Sequence, residues 1–150
     1  MRSCQSLRGL PPDVADWMRR WTHRQPVAGR CFEAMRERPI SVVQHRGFAV
    51  YLHHGAPNGT IHTWGTYSGR VVDPTAHQFG AVPMALYRLH ALCPSCGQCP
   101  TVGEQWQKRC WCFRDPAVLP HLIDGGPVYE EPGAPDYATI LARLGARRAA

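Results

Sequence analysis

A chain of 150 residues, 44% hydrophobic and 19% charged, has the composition of one globular domain or of one domain with a small appended module. Its formal charge of +6 comes from 17 basic against 11 acidic residues; Lys108 is the sole lysine, which all but excludes lysine-based catalysis. No run approaches the roughly 18 apolar residues of a membrane span, and the first residues lack the apolar stretch of a signal peptide. A cytoplasmic, reducing setting is therefore the expectation, and there clustered cysteines point to metal or catalysis rather than disulfides. Seven cysteines are also an odd number, which rules out full pairing within one chain.

In chain order, Pro11-Pro12-Asp13 can start a helix, and Val14, Trp17, Met18 and Trp21 follow at i, i+3, i+4 and i+7 on one apolar face. Arg19, Arg20 and Arg24 fall mainly on the other side. Residues 25–30 read as a loop, and a short helix is expected from Cys31 to about Arg38, stopped by Pro39. Residues 40–45, 48–54, 60–67 and 70–73 are rich in β-branched and aromatic side chains and read as strands. Arg46-Gly47, residues 55–59 and Ser68-Gly69 carry turn chemistry between them. The short links imply antiparallel neighbours, so the fold class is α+β. His53 and His54 read as strand-end residues on opposite faces, a poor joint metal site. Residues 116–135 are rich in Pro and Gly and read as irregular. Asp136 can cap a last helix from Tyr137 to about Arg147, with Tyr137, Ile140, Leu141 and Leu144 on one face.

The first constellation of chemical interest is Cys31, His62 and Asp73. Cys31 opens a helix after a small-residue loop, where the helix N-terminus favours thiolate over thiol and free backbone N–H groups could hold an oxyanion. A turn centred at Ser68-Gly69 sets residue 75 opposite His62 and makes Asp73 its diagonal neighbour across two strands. An Asp so placed can orient the imidazole, which can deprotonate the thiol and then protonate a leaving amine. Taken singly, each piece is ordinary: a small buried Cys, a strand His, an Asp-Pro-Thr turn.

These residues, in G-R-C-F-E-A-M (29–35), H-T-W (62–64) and V-V-D-P-T-A-H-Q-F (71–79), resemble the transglutaminase-like branch of the papain-like cysteine enzymes. The resemblance spans about residues 14–80. It implies a nucleophile helix packed on an antiparallel sheet, with Cys31 as nucleophile, His62 as general base and Asp73 as orienting acid. It also implies a thioester intermediate on a protein or peptide amide, in a peptidase, deamidase or cross-linking enzyme. Gln25, six residues ahead of Cys31, stands at the offset of the oxyanion-hole Gln of papain-like peptidases. Trp64 and Gln78 come with the motif and suit packing and hydrogen bonding around the site. C-F-E is also similar to arylamine N-acetyltransferases, but those are much longer and carry an Arg-Gly-Gly lead-in that this chain lacks.

The second constellation is the run from Cys93 to Cys112. Cys93-Pro94-Ser95-Cys96-Gly97 has the form of a zinc knuckle, and Cys110-Trp111-Cys112 can supply a second pair. The whole resembles a zinc-ribbon or treble-clef module, in which four thiolates close a structural Zn²⁺ site. Cys99 is a fifth candidate, because Cys96 and Cys99 make an equally good pair; His90 and His121 flank the cluster. A redox-active C-x-x-C, free cysteines and an iron–sulfur cluster remain open alternatives. The expected organisation is a catalytic core over 1–88, a zinc-ribbon-like module over 89–115, and an irregular segment with a C-terminal helix over 116–150. The expected function is a cysteine-dependent amide hydrolase or acyltransferase. The other reading is a zinc-ribbon module that binds nucleic acid or protein through its basic charge and Trp106, Trp111 and Phe113.

Overall fold

The computed structural model describes residues 5–80, 83–89, 92–98 and 110–149, the last four by backbone alone. It is an α+β structure with one antiparallel five-stranded sheet. The elements run α1 (Pro12–Thr22), α2 (Cys31–Arg36), β1 (Val43–His53), β2 (Ala56–Tyr67), β3 (Arg70–Val72), β4 (Met84–Leu89), α3 (Leu119–Leu122), β5 (Ile123–Glu130) and α4 (Tyr137–Ala149). The sheet order is β3-β2-β1-β4-β5. Among the described residues no helix is long and apolar enough to cross a membrane. The chain divides into two compact units, 1–45 with 63–81 and 46–62 with 82–150, so β1 and β2 each contribute to both.

In the first unit, α1 buries the face read from the sequence. Val14, Trp17, Met18 and Trp21 are all buried and pack with Val27, Ala34, Met35, Val42 and Val72. The two indoles also fix α2. Trp17 Nε1 donates to the Ala34 carbonyl at 2.9 Å and Trp21 Nε1 to the Glu37 carboxylate at 2.8 Å. An indole that spends its only donor this way adds direction to a large apolar contact, and truncating either Trp would cost about 3–5 kcal/mol. Gly65 is required by close packing: an added Cβ would meet Val42 Cγ1 at 2.4 Å and the Val72 carbonyl at 3.3 Å.

The β2–β3 hairpin turns at Ser68-Gly69, both at positive φ (46° and 76°), which matches the twist of the strands. Gly65 pairs with Val72, Thr66 with Val71 and Tyr67 with Arg70, the register that a turn centred there demands.

In the second unit, Phe48, Val50, Ala85, Tyr87, Phe113, Leu119, Leu122, Ile140 and Leu144 form one buried cluster that also holds Cys93 and Cys110. Asp136 caps α4 as expected, accepting the Thr139 N–H at 2.7 Å.

Four expectations need correction. Arg46-Gly47 is no turn: β1 runs through it, and Gly47 pairs with Arg88 of β4. The connection that follows is tighter than residues 55–59. His54 and Gly55 alone make it, at φ 50° and 78°, and β2 resumes at Ala56. Because His54 leaves the strand at positive φ, its ring comes 4.2 Å from that of His53 rather than pointing away. Finally, 116–135 is not irregular throughout, since α3 and β5 lie within it. β5 tolerates Pro127 because it is an edge strand. The β4–β5 register slips on either side of Tyr87, which pairs with Pro127, a residue with no N–H to give to the ladder.

Candidate functional site

Cys31 is the first residue of α2, half-buried and free of disulfide. Gly29, at φ 77°, turns the loop into it. Asp73 follows β3 and is 3% exposed. A chain of hydrogen bonds inside the first unit joins these two places. The Gly29 N–H donates to Gln78 Oε1 at 3.3 Å, and Gln78 Nε2 donates to Thr75 Oγ1 at 3.1 Å. Thr75 then donates to Asp73 Oδ1 from its N–H at 3.2 Å and its hydroxyl at 3.3 Å. The Asp73 N–H is itself held by Gln5 Oε1 at 2.9 Å. Asp73, Gln5, Met18, His23, Ala76 and His77 line a cleft of about 350 Å³.

Sequence reading assigned no role to Thr75. The signal was present, because Asp-Pro-Thr is the sequence of an Asx-turn whose carboxylate accepts from the residue two positions on. His45 stacks on Trp64 with centroids 6.1 Å apart and shares a hydrogen bond with Thr66 Oγ1 at 2.8 Å.

His62 lies on β2 and is 1% exposed. Among the described residues the buried polar or charged side chains are His62, Thr63, Asp73 and Thr75. Burial of an imidazole or a carboxylate is unfavourable unless hydrogen bonds replace water, so such positions are rarely incidental. Gln25 is exposed in the loop between α1 and α2.

The cysteine cluster is the other site. The sulfurs of Cys93, Cys96, Cys110 and Cys112 all lie within 4.8 Å of one another, and together they could hold a metal ion. Local backbone geometry builds the first half. The Gly97 N–H donates to the Cys93 carbonyl at 2.8 Å and the Cys93 N–H to the Gln98 carbonyl at 2.9 Å, with Gly97 at φ 72° closing the turn. In the second half the Cys112 N–H donates to Cys110 Sγ at 3.3 Å, the N–H to sulfur contact that stabilises a thiolate ligand. Metal–sulfur bonds of about 2.3 Å around a tetrahedral zinc ion set the sulfurs about 3.8 Å apart. A spread of at most 4.8 Å reaches that with a small contraction.

The protonation chemistry agrees with a ligand set. Burial raises the Cys93 thiol, but the Cys96 and Ser95 backbone N–H groups and the neighbouring thiols outweigh it and bring its pKa down to about 7. Burial, reinforced by hydrogen bonds with Cys93 and Cys96, pushes Cys110 well above the usual thiol range, and burial raises Cys112 as well. Crowded thiols cannot all ionise alone, and a divalent cation removes that conflict. Cys93 and Cys110 are 2% and 1% exposed, whereas Cys96 is exposed and Cys112 half-buried. Cys99 and His90 lie outside the described residues, as does Trp106. No family model, no curated protein and no solved structure matches the chain.

Proposed function

We propose that the chain is a cysteine-dependent amide hydrolase or acyltransferase of papain-like, transglutaminase-like type, steadied by a structural zinc ion. The observation that carries this reading is the set of buried polar side chains: His62 and Asp73 are two of the four among the described residues. The hydrogen-bonded chain from Asp73 through Thr75 and Gln78 to Gly29 adds support, because it couples the acid to the loop that delivers Cys31.

In this mechanism Cys31 sulfur attacks the acyl carbon of a protein or peptide amide while His62 takes its proton. Asp73 holds the imidazole in one tautomer, and Gln25 and backbone N–H groups near Cys31 receive the oxyanion. His62 returns the proton to the departing amine as the carbon–nitrogen bond breaks, leaving a thioester. Water then attacks, giving its proton to His62, and Cys31 is released with the carboxylic acid. An amine in place of water gives transamidation. Zinc, when bound by Cys93, Cys96, Cys110 and Cys112, supplies a cross-link and no open coordination position. None of the five described cysteines is in a disulfide, which suits a reducing, cytoplasmic setting.

Labelling with an acyl-directed electrophilic probe tests this reading. The expected result is one adduct at Cys31, absent in Cys31→Ala and strongly reduced in His62→Ala. An adduct rate indifferent to His62→Ala in a folded variant would contradict the triad.

One observation favours a second reading, a binding module. Trp111, within the cysteine cluster, is 44% exposed, and the Arg114 guanidinium lies 4.8 Å from its ring centroid. Such a pair suits stacking on a base beside a phosphate. Filter binding of single-stranded nucleic acid at two salt concentrations decides it, because phosphate contacts make affinity fall steeply with salt.

A further inference from the structure

The second unit holds a cleft of about 520 Å³ that neither constellation uses. Its origin is local. At Pro127 the β4–β5 ladder slips, and Gly125 at φ 79° with Gly126 carries the edge strand past Tyr87 without filling the space; a Cβ added to either glycine would meet nothing within 4 Å. The apolar walls are Pro120, Ile123 and Pro127. Tyr87 and Tyr137 both line it as a tilted ring pair in contact, with centroids 6.1 Å apart and planes at 50°. The polar lining is acidic: among the described residues Glu130 and Asp136 contribute, and no Arg, Lys or His does. That is notable in a chain with 17 basic residues against 11 acidic ones. The Tyr137 hydroxyl is buried and has no hydrogen-bond partner among the described residues. Burial first, then the charges of Glu130 and Asp136, raise the Tyr87 hydroxyl above its ordinary pKa.

We infer that this cleft is a binding site for an organic cation that carries N–H donors, a primary ammonium or a guanidinium. Each part of the lining selects for it. Aromatic faces attract a cation through the ring quadrupole. Two carboxylates supply charge, of which Asp136 is already engaged by the Thr139 N–H, leaving Glu130 as the principal anionic partner. The Tyr137 oxygen offers a buried acceptor to an N–H. The volume exceeds one headgroup and takes an alkyl stem as well, within the usual range for small-ligand sites. An anion would meet two carboxylates, and a neutral apolar group would leave the hydroxyl unsatisfied.

The test is an NMR titration of the full chain that follows the ring signals of Tyr87 and Tyr137. The probes are butylammonium, N-acetylarginine amide and, as a neutral isostere, N-acetylcitrulline amide. Both cations should give saturable shifts at both rings and the citrulline compound none. Glu130 is exposed, so Glu130→Gln should keep the fold and weaken cation binding about fivefold or more. Tyr137→Phe keeps a ring and should weaken it about threefold. Equal shifts from the citrulline compound, affinity unchanged in Glu130→Gln, or no shift from either cation would each overturn the proposal. A free amine and a side chain of a protein partner share this chemistry. A pentapeptide with a central Arg that binds more tightly than butylammonium assigns the site to a protein segment; the reverse order assigns it to a free amine.

Discussion

The two units bury their reactive groups in different ways. In the first, Asp73 is taken out of water and held by Thr75, and Gln78 and Gly29 continue the chain of hydrogen bonds. The donors to Oδ1 come from Thr75, within the chain itself. In the second, Cys93 and Cys110 sit in the same buried cluster as Phe48, Leu119 and Ile140, and their sulfurs crowd together with those of Cys96 and Cys112. Thiols are weak hydrogen-bond partners, so a cation held by the four sulfurs would stabilise this arrangement more than its own polar contacts do. Burial of a polar group can thus be made stable by internal hydrogen bonds or by a ligand, and each route predicts a different response to perturbation.

The largest difference should follow metal removal. A chelator, or Cys110→Ser, should destabilise the second unit strongly, lowering its thermal midpoint by about 10 °C or more and releasing about one zinc per chain. Calorimetry with metal analysis checks this, and a midpoint unmoved by chelation would erase the contrast between the units. A chelator-resistant core would mean that the apolar cluster alone carries the second unit.

Next in size is Gly65→Ala, which attacks the first unit's packing. The new methyl would overlap Val42 and approach the Val72 carbonyl, and the expected loss is about 1–3 kcal/mol in chemical denaturation. The metal content should not change. Smaller still is Gln78→Ala, which removes the link between Thr75 and the Gly29 N–H. The Gly29 contact is long and exposed, so the cost should be about 1 kcal/mol or less. A sharper consequence is expected in the rate of Cys31 labelling, because the loop before Cys31 loses its tie to Asp73; a rate within twofold of wild type would mean that the chain of bonds is only structural.

Much of the first unit was legible in the sequence because its rules are local. The apolar spacing of Val14, Trp17, Met18 and Trp21 gave the buried face of α1, and Ser68-Gly69 gave both a turn and a register. The second unit was harder for physical reasons. Met84, Ala85, Leu86 and Tyr87 of β4 are all buried, so the strand shows no alternation to distinguish its two faces. Gly125, Gly126 and Pro127 have poor strand propensity, and β5 forms because β4 offers an edge. Gly47 reads as a turn residue but is held extended by pairing with Arg88, a partner 41 positions away. The cysteine cluster was readable from its spacing, because closely spaced Cys pairs, C-x-x-C and C-x-C, can each bring two sulfurs to one point. The tyrosine cleft was not, since Tyr87 and Tyr137 meet only through the packing of α4.

The central claim is that the five described cysteines fall into two chemical kinds, one nucleophile and one ligand set. Iodoacetamide modification of the zinc-loaded protein at pH 6 to 7, read by peptide mapping with and without chelator, tests it in one experiment. Cys31 should be modified first and at the same rate in both arms, while Cys93, Cys96, Cys110 and Cys112 should react only after zinc is removed. An unreactive Cys31, or four cluster cysteines that react equally fast with zinc present, would contradict it.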